Sequence, residues 1–249
     1  MKTNKMHKTI KAALIAAGAL SCFPVAQADV LATYNFTGTT GLEASASASF
    51  SADFVTVSDI TRGTNFGAPG SSSDFTSNGM AFAPGLAMGN ALFRANYTIG
   101  TAVEYDAYFE FSLTVDAGYE LDVASITFGA RRASNNTGPN NLAIRSSLDG
   151  FASNLASQAI AGTAADPTGV VFNLGETVQS VTGTIIFRIY GYGRNASNAS
   201  YGLLTIGNDS SAPFTINGSV TSAIPEPGTI ALGLGAVAVG VAAIRRRHR

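Results

Sequence analysis

From Tyr105 to Asp116 the chain alternates apolar and polar side chains with period two. The odd positions are Tyr105, Ala107, Phe109, Phe111, Leu113 and Val115; the even ones are Asp106, Tyr108, Glu110, Ser112, Thr114 and Asp116. Successive side chains of an extended chain point to opposite faces, so the pattern predicts a strand with one face in a core and the other in solvent. Ala117-Gly118 reads as a turn, and residues 121–130 resume the pattern with Leu121, Val123, Ile126 and Phe128. The apolar phase shifts from odd to even near Ala124, which predicts a β-bulge. Further strands are predicted at residues 30–36, 142–147, 170–174, 181–190, 201–206 and 214–220. A single helical turn is expected within 151–159. Residues 62–90, with Gly67-Ala-Pro-Gly-Ser-Ser-Ser and Ala83-Pro-Gly, read as a long loop. Many short strands, Gly/Asn turns and no crossover helices predict an all-β fold, an antiparallel β-sandwich of jelly-roll type. That likeness is architectural and names no function.

The two ends follow different rules. Lys2, Lys5, Lys8 and Lys11 precede the apolar run 12–20, Pro24 follows, and Ala26-Gln27-Ala28 supplies a small-x-small exit. This order predicts a secretory signal helix over residues 1–28, cleaved after Ala28. Nine apolar residues are too few to span a bilayer, which needs about 20. At the other end, residues 228–244 carry no charge and are followed by Arg245, Arg246, Arg247, His248 and Arg249. A transmembrane helix is expected there, near the lower limit of length, with the arginines held on the cytoplasmic side and residues before Pro225 outside. The exported domain is then residues 29–224.

Pro225-Glu226-Pro227, the apolar span and the arginine cluster, in that order, resemble the PEP-CTERM sorting signal. The resemblance covers residues 225–249. It implies recognition by an exosortase, anchoring in the inner membrane through the C-terminal helix, and a final place at the cell surface or in an extracellular matrix with exopolysaccharide or biofilm. Two prolines also keep the approach to the membrane extended, which suits capture by a protease.

Once the ends are set aside, composition removes several chemistries. All four lysines, both histidines (His7 and His248) and the single cysteine, Cys22, lie outside residues 29–224. Without Cys or His, zinc sites and serine or cysteine triads are excluded; without Lys, so is Schiff-base chemistry. No disulfide is available to staple the domain. Seven arginines face fifteen acidic residues. An acidic, lysine-free domain lacks the basic footprint that nucleic acid requires.

Three constellations remain as candidates. Glu104, Asp106 and Glu110 lie in one segment, and extended backbone would set Glu104 and Asp106 about 6.6 Å apart, inside the range that glycoside hydrolysis uses. The segment is similar to the Glu-x-Asp-x-Glu strand of jelly-roll glucanases but departs from it, since the third acid follows Asp106 by four residues. No tryptophan is present to line a sugar subsite. A solvated polar face is the favoured reading, and no catalytic residue or activity is expected. Tyr190, Tyr192, Arg194 and Tyr201, with nearby Gly and Asn, offer a glycan contact by stacking and hydrogen bonding, against the plainer role of covering a core edge. Asp116, Glu120 and Asp122 around one turn, with Asp149-Gly150 at another, could hold structural Ca²⁺, though ordinary turn chemistry is favoured and no metal site or cofactor is assigned. Arg131-Arg132 is expected to pair with acids on the surface.

Overall fold

A computed structural model of the chain describes residues 29–37, 39, 43–63, 85–90, 98–132, 138–160, 168–193, 202–207 and 213–223, with backbone alone at 85–90 and 202–203. Outside the described residues lie Ala26 and Ala28, the motif Pro225, Glu226 and Pro227, and Arg245, Arg246, Arg247 and Arg249. Among the described residues no helix is long and apolar enough to cross a membrane.

The strands, in chain order, are β1 (Asp29–Tyr34), β2 (Ser45–Ala46), β3 (Phe50–Ser51), β4 (Val55–Val57), β5 (Ile60–Arg62), β6 (Gly85–Asn90), β7 (Tyr108–Val115), β8 (Tyr119–Arg132), β9 (Asn141–Ser146), β10 (Ala156–Ala159), β11 (Thr168–Asn173), β12 (Thr184–Tyr192), β13 (Gly202–Gly207) and β14 (Phe214–Ser222). One helix, α1 (Ile99–Glu104), precedes β7. Two antiparallel sheets result. The first runs β3-β1-β14-β8-β13-β6, with β11 also paired to β8; the second runs β10-β9-β12-β7-β5-β2, with β4 paired to β7.

Alternation fixes which face of each sheet is inside. In β7 the odd residues Phe109, Phe111, Leu113 and Val115 are buried, and in β12 Ile185, Phe187 and Ile189 are. They meet Leu31, Tyr34, Leu121, Val123, Ile126, Phe128, Phe214 and Ile216 of the first sheet in one continuous core. Phe111 packs edge-on against both Tyr34 and Phe214, at ring centroid distances of 6.3 and 5.7 Å. The Tyr34 hydroxyl reaches across to donate to the Ser58 carbonyl at 2.6 Å. The two sheets therefore pack face to face, as a sandwich requires.

The predicted bulge stands at Ala124. Asn217 pairs with Ser125 and Gly218 with Val123, so Ala124 has no partner in β14. Its carbonyl instead accepts the Leu174 amide at 2.9 Å, which turns the chain out of β11. Backbone approach is closest here: a Cβ on Gly218 would lie 1.9 Å from the Asp122 carbonyl oxygen.

Several expectations are corrected. Residues 99–104 are helical, not extended: Thr98 caps the helix by accepting the Thr101 amide at 3.2 Å, and buried Ala102 faces inward. Asp106 then adopts φ 52°, and the strand begins only at Tyr108, leaving Tyr105 39 % exposed rather than in the core. Residues 151–159 hold no helical turn; a short 3-10 turn covers Ser147–Asp149 and β10 occupies Ala156–Ala159. The long loop expected at 62–90 includes β6, which pairs with β13.

Candidate functional site

Register brings a group of large polar side chains together on the outer face of the second sheet. Arg188 of β12 pairs with Glu110 of β7 on one side and Arg145 of β9 on the other, while Tyr190 pairs with Tyr108 and Ala143. Arg188, Glu110, Arg145, Tyr108 and Tyr190 have the parity opposite to core residues Phe109, Ile144, Phe187 and Ile189, though Tyr108 and Tyr190 are themselves buried. Arg188 Nε donates to Glu110 Oε2 at 2.6 Å. Its guanidinium lies between two rings, 4.2 Å from the Tyr108 centroid and 4.0 Å from that of Phe151. Such cation–π contacts contribute about 0.5–2 kcal/mol each, more as water is excluded. Arg145 stands 5.8 Å over the Tyr190 ring, donating from Nε to Asn154 Oδ1 at 2.7 Å and from Nη1 to the Phe151 carbonyl at 2.8 Å. The two arginines thus pin the turn after β9 onto the sheet.

Electrostatics agree with a closed structural cluster. Burial works most strongly against the Arg188 cation, but the hydrogen bonds with Glu110 and Tyr190 and the charges of Tyr108 and Glu110 together outweigh it, and its pKa is raised. Burial raises both the Tyr108 and Tyr190 phenols, which stay neutral and act as apolar walls with one polar edge.

Beside this cluster the sheet carries a shallow open cleft of about 290 Å³, lined by Ser58, Asp59, Thr61, Glu110, Ser112 and Ile186 over Phe111. Ser58 Oγ accepts the Ser112 amide at 2.8 Å, and Asp59 Oδ2 accepts from Ser45 Oγ at 2.8 Å. Hydroxyls and carboxylates of this kind can exchange hydrogen bonds with the hydroxyls of a polymer.

The carboxylates expected as a strand pair do not form one. Glu104 ends α1, Asp106 sits in the following turn, and Glu110 is the single member on the strand, bonded to Arg188. Strand spacing does not apply to the first two, so the geometry gives no facing acid and base. Tyr190 is 1 % exposed, which removes it as a stacking platform, and Tyr192 packs partly buried against the core. Arg194 and Tyr201 lie outside the described residues.

The calcium candidates are engaged in turns. Asp122 Oδ1 accepts the Ser180 amide at 2.7 Å. Asp149 accepts the Ala152 and Ser153 amides at 3.1 and 2.9 Å and the Ser153 hydroxyl, and these bonds, the hydroxyl first, hold its carboxyl below the usual range. Asp116 and Glu120 stand at the β7–β8 turn without joining them. Among the described residues no group of three His, Cys, Asp or Glu side chains is placed to hold a metal. Arg131 and Arg132 are corrected too: both are buried, at 5 and 6 % exposure, and burial lowers the Arg132 pKa. The bulge accounts for Arg132, because the shifted phase that buries Ile126, Phe128 and Ala130 also turns Arg132 inward; Arg131 has the opposite parity and is buried on the other face.

Sequence reasoning missed Arg188, Arg145 and Phe151. A signal existed for the first: Arg188 shares parity with Tyr190 and Tyr192 on a strand whose other face is apolar. Phe151 gives none, since φ 63° at that residue sets its direction through the turn. The chain matches no protein-family model, and a search of curated protein sequences finds no match.

Proposed function

We propose that this protein is an exported, non-catalytic envelope or matrix component, a jelly-roll sandwich delivered by its signal segment and sorted through a PEP-CTERM tail. The observation that supports this reading is an all-β body lying between the two targeting patterns of the sequence. Its first strand starts at Asp29, directly after Ala28, and its last described hydrogen bond joins the Ala223 amide to the Gly118 carbonyl at 2.9 Å. Only Ile224 separates that bond from Pro225.

The jelly-roll assignment is supported by strand order. Eight strands taken along the chain, β1, β7, β8, β9, β10, β11, β12 and β14, fall into the four-stranded arrays β1-β14-β8-β11 and β7-β12-β9-β10. That interleaving is in keeping with the double Greek key of jelly rolls, with β13 and β6 added to the first sheet. Association with exopolysaccharide, rather than its hydrolysis, fits a hydroxyl- and carboxylate-lined cleft and the separation of Glu104 and Asp106 from Glu110.

Mass spectrometry of the protein from its native cells tests the sorting. A new N-terminus at Asp29 and a C-terminus near Pro225, in an extracellular or surface fraction, are expected. An intact chain recovered from the cytosol would refute the proposal.

A further inference from the structure

The two ends of the sandwich differ, and the one that carries both chain boundaries shows an unexplained aromatic pair. Asp29 pairs with Gly218, Ser222 with Tyr119, and Val55 with Val115, so the start of β1, the end of β14, the β7–β8 turn and the β3–β4 turn gather at one end. There the Phe54 carbonyl accepts the Asp116 amide at 3.0 Å. The Phe54 ring stacks on Tyr119 with centroids 4.0 Å apart and planes at 14°. Phe54 is nonetheless 47 % exposed, and its φ is 64°. Left-handed backbone disfavours a bulky side chain by about 1–2 kcal/mol, and Gly or Asn would serve such a turn better. Neither backbone preference nor burial asks for phenylalanine here.

We infer that the Phe54–Tyr119 pair is a membrane-contact point, seated in the headgroup layer of the bilayer that holds the tail. This rests on the reading of residues 228–244 as a membrane span. From Ala223 to Gly228 the chain has five residue steps, which reach at most about 18 Å when fully extended. The end face is thereby confined beside the lipid. Tyrosine prefers that interfacial layer, where its hydroxyl edge is wet and its ring is not, and Phe54 adds apolar area stacked on Tyr119. Exposed Asp53 and Asp116 flank the pair, the one preceding Phe54 in the chain and the other bonded to its carbonyl. They favour the ammonium groups of zwitterionic lipid and keep the contact out of the hydrocarbon.

The chain contains no tryptophan, so F54W introduces a single fluorophore. Y105W places one at the opposite end, where Tyr105 is 39 % exposed. Each full-length variant is reconstituted in vesicles of phosphatidylcholine and phosphatidylethanolamine with brominated acyl chains. F54W is expected to emit at shorter wavelength and to be quenched at least twofold more than Y105W. Equal quenching in chains that float with the vesicles would overturn the inference alone. Chains that do not float would overturn the membrane span as well, and the inference with it. Hydrogen exchange on the unsubstituted chain supplies a second readout: vesicles should slow exchange at residues 117–119 and not at 105–107, and the reverse would also overturn it.

Discussion

The core near Asp29 and Ser222 is filled by aliphatic side chains, with one aromatic pair at its surface; the core toward the other end adds a cluster of interlocked rings. In the first, Leu31, Val55, Leu113, Val115, Leu121, Val123 and Ile185 fill the core, and tight turns at Asp116–Gly118 and Ala52–Val55 close it through main-chain hydrogen bonds. Toward the opposite end the core becomes Tyr34, Phe36, Phe111, Phe128 and Phe214, interlocked by edge-on and stacked contacts. The difference teaches that one end is held by geometry that admits no extra atoms, and the other by area and ring packing.

The largest expected effect tests the rings. Phe214 touches Tyr34, Phe36, Phe111 and Phe128, at centroid distances of 5.5, 6.4, 5.7 and 5.0 Å. Phe214→Ala should cost about 3–5 kcal/mol in denaturant unfolding, and Leu121→Ala in the aliphatic half about 2–3 kcal/mol. Equal losses would erase the distinction between the halves.

Next comes the close approach at the bulge. Gly in a strand interior ordinarily weakens it, so Gly→Ala would otherwise stabilise. At Gly218 the added Cβ meets the Asp122 carbonyl at 1.9 Å and the Leu31 side chain at 2.6 Å. A loss of about 1–3 kcal/mol is therefore expected for Gly218→Ala, read as a lowered melting temperature. A gain would show that this end is slack.

The smallest effect is a dependence on pH. Burial first, and Asp59 second, raise the Tyr34 phenol above its ordinary 10.0. A raised pKa means that the folded state holds the proton more tightly than the unfolded chain. The stability tied to Tyr34 is thus complete below about pH 10 and declines as pH climbs beyond it. Alkaline titration of melting temperature should fall less steeply in Tyr34→Phe than in the parent. An unchanged slope would place the alkali-sensitive group elsewhere than in the aromatic half.

Much of this architecture was legible in the residues, and the failures have definite causes. The phase shift at Ala124 was visible because burial on both sides of a bulge leaves an apolar trace in each strand. The helix at Ile99–Glu104 was not, since Tyr105 and Ala107 extend the alternation of β7 backward through a turn that Asp106 in fact breaks. The paired carboxylates were lost with that turn. Short edge strands such as β2, β3 and β5, of two or three residues, carry too few side chains for a period to register. The Arg188 cluster depends on cross-strand register between residues 78 positions apart, which no local pattern encodes.

One consequence follows from the place of β14. It lies between β1 and β8, so the first and last segments of the body are neighbours and the closing strand is an interior one. A polypeptide delivered through a pore from its amino end cannot assemble this sheet until nearly the whole body has passed. Such long-range pairing folds slowly. The first sheet closes only once its final strand, β14, arrives between β1 and β8.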